Sequence, residues 1–246
     1  MRKLNWKNIG KFFLVLMLLF FLVYVIVTVT KQREQKYCTG ISVSIKDSAS
    51  VQFIKTEDIR RALDRHRIEL IKQPVNKLNV QGIEELLEQN SFVKNIECYV
   101  TPSGIFTIDV WQREPIFRVS AATNYYVDIA GQVIPTSDAF VPFVHVVSGN
   151  VNKEFAVSEL KDFVLYLRNN PFWNAQIAQI VVDANNELIL IPRIGEHEIE
   201  FGTLEEYKLK LAKLKKFYLQ GLNTIGWEQY KKISLKYKNQ VVCTKK

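Results

Sequence analysis

The 246-residue chain lacks the short motifs that mark common active sites. It has no G-x-S-x-G, no Walker phosphate loop, no G-x-G-x-x-G and no H-E-x-x-H. Histidine is scarce. His66, His145 and His197 fall in three different expected elements, and each reads as a partly exposed structural residue. Cysteine is equally scarce. Cys38, Cys98 and Cys243 leave at least one thiol unpaired within the chain, and no C-x-x-C or Cys/His spacing suits zinc. Nothing in the sequence selects a disulfide pair. The acid pairs Glu84–Glu85 and Glu205–Glu206 lie in expected helices with cap or surface roles. These absences speak against an enzyme. No cofactor, metal or small-molecule substrate is expected.

One stretch is defined by what it excludes. Phe12 to Val29 contains no charge, proline or glycine. Eighteen helical residues rise about 27 Å, close to the roughly 30 Å hydrocarbon core of a bilayer. Arg2, Lys3, Lys7 and Lys11 precede the run without an acid, whereas Glu34 dilutes Lys31, Arg33 and Lys36 after it. The positive-inside rule then puts a short N-terminus in the cytoplasm and the remaining bulk outside it. Trp6 and Tyr37 suit the two interfaces. A cleaved signal peptide would end in a small-residue site such as A-x-A, but the run ends Thr28-Val29-Thr30-Lys31-Gln32. Gln35-Lys36-Tyr37 ahead of Cys38 do not suit a lipid-modified cysteine. The expectation is a cytoplasmic tail at 1–11, an uncleaved transmembrane helix at 12–30 and a linker at 31–40. The run has no G-x-x-x-G for close helix packing.

The formal net charge of +8 is uneven. Residues 205–246 hold eleven lysines against three glutamates, a net +8, and the N-terminal tip holds +4, so the middle is net acidic. A basic end can face nucleic acid, anionic lipid or an acidic partner. The anchor argues against nucleic acid, and the lysines of the helix in this region read as a solvated face.

After the linker, Ile41 to Ile45 alternates with period two, as a half-buried strand does. Thr56 is an expected N-cap with Glu57 and Asp58 in the first helical turn. A second helix is expected over Val80 to Gln89, capped by Asn79. Val93 to Val100 and Ile105 to Trp111 flank the turn residues Thr101-Pro102-Ser103-Gly104. Gln112-Arg113-Glu114-Pro115 marks a boundary. Beyond it, Asp128 to Gly131 suits a type I turn between two strands. Phe143 to Val147 is an expected strand, and Ser158 is expected to cap a helix stopped at Asn169-Asn170-Pro171. Ile177 to Val182, Leu188 to Ile191 and Glu198 to Phe201 are expected to form an antiparallel meander. Thr203 to Glu206 reads as a capping box, opening a helix with the stripe Leu204, Tyr207, Leu211, Leu214 and Tyr218, ended by Gly221. The last expected strand runs from Ile233 to Val242. The fold class is therefore α+β: a transmembrane helix, a β-α-α-β-β module at 41–114, and a strand-rich domain at 115–246 with two helices on a mostly antiparallel sheet.

One anchor, this first module, the hairpin with Thr101–Gly104 and Arg113-Glu114-Pro115, the Asp128–Gly131 turn, and Leu235-Lys236-Tyr237 together resemble the FtsQ/DivIB cell-division proteins. The first module resembles a POTRA domain. The resemblance implies a non-enzymatic bitopic scaffold of the divisome in the inner membrane. Its bulk would lie in the periplasm at the septum, where it would bind small coiled-coil FtsB- and FtsL-like proteins and help control septal peptidoglycan synthesis. It also implies that the last strand receives a partner strand, through Ile233, Ser234, Leu235, Lys236, Tyr237, Lys238, Asn239, Gln240 and Val241. Two positions depart from the family pattern. Lys236 stands where the family has arginine, and the strand does not continue to a tryptophan. The alternative is a membrane-anchored POTRA-type binding module in envelope export or assembly, although the roughly ten-residue lipid-facing strands of a membrane barrel are missing.

Overall fold

The computed structural model describes residues 14–27, 36–46 and 51–246. The tail expected at 1–11, both ends of the span expected at 12–30, and residues 31–35 of the expected linker lie outside the described residues. Residues 14–27 form helix α1, with every side chain exposed. Among the described residues no helix is long and apolar enough to cross a membrane.

The chain divides into two compact units. The first holds the described residues up to Lys46 together with Ile54–Trp111. It contains β1 (Gly40–Ile45), α2 (Thr56–Arg65), α3 (Val80–Glu88), β2 (Val93–Val100) and β3 (Ile105–Gln112), the last strand ending at the unit's boundary. The sheet order is β1-β3-β2, with β1 parallel to the central β3. Alternation on β3 buries Phe106, Ile108 and Val110, and Ile59 and Leu63 of α2 and Ile83 and Leu87 of α3 are buried as well. The helices start by local hydrogen bonding. Asn79 Oδ1 accepts from Gly82 N at 3.0 Å, as a cap should. At α2 the cap falls one residue earlier than Thr56. The Lys55 N–H donates to Asp58 Oδ2 at 2.8 Å, and Thr56 is already helical. Residues 36–39 belong to this unit by backbone bonds, with Cys38 N donating to Gln73 O at 2.9 Å.

The second unit holds the described residues of Asp47–Phe53 and Gln112–Lys246. Its strands are β4 (Pro115–Ser120), β5 (Asn124–Asp128), β6 (Val133–Pro135), β7 (His145–Gly149), β8 (Ile177–Val182), β9 (Leu188–Pro192), β10 (Glu198–Gly202), β11 (Tyr230–Ser234) and β12 (Val242–Lys245). They form one sheet in the order β12-β11-β10-β9-β8-β7-β4-β5-β6. The expected meander β8–β9–β10 is antiparallel. Three other pairings, β4–β7, β7–β8 and β10–β11, are parallel. Parallel neighbours need a crossover, and the chain supplies helices between β7 and β8 and between β10 and β11. The first is α4 (Lys153–Phe155), a π-helical stretch Ala156–Leu160 and α5 (Lys161–Asn169), followed by α6 (Pro171–Gln176). The second is α7 (Tyr207–Phe217), continued by a π-helical stretch Tyr218–Leu222 and the single turn α8 (Asn223–Ile225).

One row of buried side chains crosses the sheet in register: Val119, Val147, Ile180, Leu190, Ile199 and Ile233. Phe163, Val164 and Leu167 of α5, and Leu211 and Leu214 of α7, join the same core. The α7 stripe is therefore core, as its spacing predicts.

Several helix ends differ from expectation. Asn152, not Ser158, caps the first crossover, accepting from Glu154 N at 2.9 Å. Ser158 sits inside the helical run and donates back to Glu154 O at 2.6 Å. No capping box forms at Thr203. Glu206 is left-handed (φ 50°) and α7 starts after it. Lys210 Nζ instead donates to Thr203 O at 2.7 Å. Gly221 does not end the helix, which runs on until Gly226 (φ 103°). The β7 strand starts at His145, and Phe143 stands exposed before it.

Candidate partner-binding site

Sheet position decides which strand can accept a partner. An edge strand has one row of N–H and C=O groups without a sheet neighbour; an interior strand has none. The single strand expected from Ile233 to Val242 is in fact two strands and a turn. β11 ends at Ser234, Lys238 and Asn239 form the turn, and β12 begins at Val242. Asn239 adopts φ 63°, a left-handed conformation that asparagine tolerates better than most residues. Register across the turn pairs Ser234 with Val242 and Ile233 with Cys243.

This geometry separates the nine expected contact residues. Ile233, Ser234 and Leu235 are buried. Ile233 and Ser234 belong to β11, which lies between β10 and β12 and so has no open edge, and Leu235 follows directly. Lys236, Tyr237, Lys238, Asn239 and Gln240 are exposed on the loop, and Val241 is half-buried. The edge belongs to β12, which the sequence reading did not separate from β11. The signal was the asparagine two residues past Tyr237, followed by the β-branched run Val241-Val242.

Next to this loop lies an open groove of about 930 Å³ between it and α7. Lys210, Lys213 and Lys216 line one side, and Lys236, Tyr237 and Lys238 the other, with Glu205 and Glu206 among the remaining lining residues. The cations differ in availability. Lys236 pairs with Glu187, and its ammonium is held above its usual range, chiefly by that hydrogen bond. Lys210 is turned to backbone carbonyls, and burial lowers its pKa. Among the described residues Lys213, Lys216 and Lys238 have no carboxylate partner within 4.0 Å. The α7 lysines, read from sequence as a solvated face, thus share a groove with the loop.

The histidines do not converge on this site. His66 is exposed on the first unit. His145 and His197 are buried, not partly exposed. His197 Nε2 lies 2.8 Å from the Tyr218 hydroxyl, beside the rings of Tyr218 and Trp227. Burial raises the pKa of the Cys243 thiol. All three cysteines are free, and burial, aided by Glu84, Asp109 and Glu88, pushes the Cys98 thiol up to about 12. Among the described residues no group of three or more His, Cys, Asp or Glu side chains is placed to hold a metal ion.

A family model described as FtsQ/DivIB, C-terminal related, matches residues 114–244, more than half of the chain. The chain belongs to the FtsQ/DivIB family. A POTRA-like domain model matches residues 36–111. No curated protein matches the chain. FtsQ/DivIB-like and POTRA-like domains belong to a division-related family of generally non-enzymatic scaffolds, which act through protein–protein contacts and associate with the division septum. The β11–β12 hairpin and the α7 groove together combine a sheet edge with lysines that have no carboxylate partner among the described residues.

Proposed function

We propose that this protein is a bitopic divisome scaffold, anchored by residues 12–30 with its bulk in the periplasm. It binds FtsB- and FtsL-like coiled-coil proteins and so helps control septal peptidoglycan synthesis. The POTRA-like module at 41–114 acts as a docking unit, and the domain at 115–246 carries the partner site. The supporting observation is β12 at the sheet edge beside a lysine-lined groove. A partner strand adds to β12 by main-chain hydrogen bonds, which carry affinity without demanding a particular side chain. An acidic partner segment then enters the groove toward Lys213, Lys216 and Lys238, and Tyr237, 53% exposed, offers an apolar contact. The same lysines disfavour pairing with a second copy of this edge.

Proline scanning of β12 tests the reading. Successive strand residues turn their N–H groups to opposite edges, so of Cys243→Pro and Thr244→Pro, one removes an outward donor and the other breaks the bond to β11. In pull-downs with full-length chain in nanodiscs, the outward variant is expected to lose the partner while circular dichroism stays unchanged. Tyr237→Glu is expected to weaken the same complex. Retained binding by both variants, each folded, would overturn the edge-addition reading.

A further inference from the structure

A second, smaller cavity shares no lining residue with the α7 groove and has a different chemistry. It holds about 90 Å³ and is lined by Ile116, Phe143, His145, Arg168, Asn174 and Arg193. The topology creates it. β4, β7 and β8 run parallel, so their N-terminal ends meet at one rim of the sheet. Antiparallel β9 ends at that rim, since Pro192 pairs with Ile177, and Arg193 follows directly. The last turn of α5 brings Arg168, and α6 brings Asn174.

His145 occupies a position where the fold expects an apolar residue. It pairs in register with buried Phe117, two residues before Val147 of the sheet-crossing row. The residue is 5% exposed, and its Nε2 has no hydrogen-bond partner. A buried nitrogen without a partner is costly and rare in native proteins. Burial first, and then the charges of Arg193 and Arg168, hold its pKa below the usual histidine range, so the ring is neutral at pH 7. The cations around it are unequal. Arg168 donates to Glu114 and to Pro115 O. Arg193 lies over the ring of Phe143, 5.5 Å from its centroid, and among the described residues it has no carboxylate partner. Phe143 itself is 91% exposed. The rim therefore holds one uncompensated guanidinium, one unsatisfied imidazole nitrogen and a bare aromatic ring.

We propose that this cavity binds a single carboxylate group, held by the Arg193 guanidinium and by His145 Nε2–H, with the carbon skeleton of the ligand against the Phe143 ring. The cavity is polar and has room for several waters, which is enough to admit a carboxylate group. One net positive charge matches a monoanion better than a dianion. A guanidinium fork also fits the two oxygens of a carboxylate, and its charge-assisted bonds are among the stronger ones available. Asn174 supplies a further polar group at the mouth. The site is separate from the groove beside α7, so it stands or falls independently of strand addition at β12.

The chain has only three histidines, which makes the test direct. Full-length chain with ¹⁵N-labelled histidine, in nanodiscs, is titrated with acetate against chloride at matched ionic strength. The expected result is a saturable shift of the His145 ring nitrogens toward the Nε2-protonated tautomer, with His66 and His197 unmoved. Arg193→Gln, an exposed position, is expected to weaken acetate at least tenfold. An unmoved His197 signal in that variant shows that its fold is intact. N-acetylphenylalanine represents a chain terminus and the α-amide of N-acetylglutamate an acidic side chain. Tighter binding than acetate by either supports the site and assigns its source, with N-acetylphenylalanine amide as the uncharged control. No saturable shift beyond chloride, equal binding by Arg193→Gln, or inorganic phosphate binding more tightly than acetate would each overturn the proposal.

Discussion

Single side chains set the pH response of the second unit. Burial lowers the pKa values of both His145 and His197, against a smaller opposing effect of Glu228 at His197. In the unfolded chain both regain an ordinary value near 6.5 and take up protons first as pH falls. Stability is therefore present in full above about pH 6.5 and declines below it until the folded rings protonate. The thermal midpoint of this unit, followed by near-ultraviolet circular dichroism, is expected to fall between about pH 7.5 and about pH 5.5. The double variant His145→Gln/His197→Gln should flatten that window. A second residue-scale prediction concerns Asp128, whose side chain is 4% exposed and pairs with Arg113 at 3.0 Å. It also accepts from Gln132 N at 2.7 Å, closing the turn to Gly131. Asp128→Ala leaves that donor and a half-buried guanidinium without a partner. A loss of about 2–4 kcal/mol is expected in urea unfolding.

Elements meet at points that tolerate little change. Gly149 ends β7 with φ 92°, and a Cβ there would stand 2.2 Å from Val182 O on the neighbouring β8. Backbone against backbone cannot yield as a flexible side chain can. Gly149→Ala is expected to cost about 2 kcal/mol or more, read as a lower denaturation midpoint with an unchanged slope. The last hairpin shows why an element can be misread from its sequence. Alternation from Ile233 to Val241 reads as one strand, yet Ile233, Ser234 and Leu235 are buried in succession. That pattern arises where a strand leaves regular pairing, and Leu235 still bonds to Glu200 O. The helix starts were misread for a related reason. Ser158 and Thr203 have cap-like chemistry, but the sheet and the packed faces of α5 and α7 decide where each helix begins.

For the molecule as a whole, charge and edge act together. Replacing Lys213 and Lys216 with glutamine is expected to leave stability within about 0.5 kcal/mol, because both project into the groove. Partner binding should weaken and lose part of its salt dependence, since fewer exposed charges remain to be screened. Titration of the full-length complex at two salt concentrations checks this. In cells, a fluorescent fusion at the N-terminus is expected to mark midcell, and depletion of the native copy to give filaments. On the proposed anchoring, loss of residues 12–30 is expected to disperse the signal.

Much of this protein is written in short-range chemistry. The apolar run, the β-α-α-β-β order, the Thr101–Gly104 and Asp128–Gly131 turns, the β8–β9–β10 meander and the buried stripe of α7 follow from periodicity and turn residues alone. Those signals act over a few residues, so they are visible without knowing the partner strands. Tertiary structure alone decided the rest. Parallel pairing of β10 with β11 put β12 on the edge, and the crossover that made it possible brought the lysines of α7 beside Tyr237. Meeting of the strand ends around His145 likewise joined Arg168 and Arg193, which are 25 positions apart in the chain. Edge position and burial depend on which distant segments pair, and no local pattern carries that information.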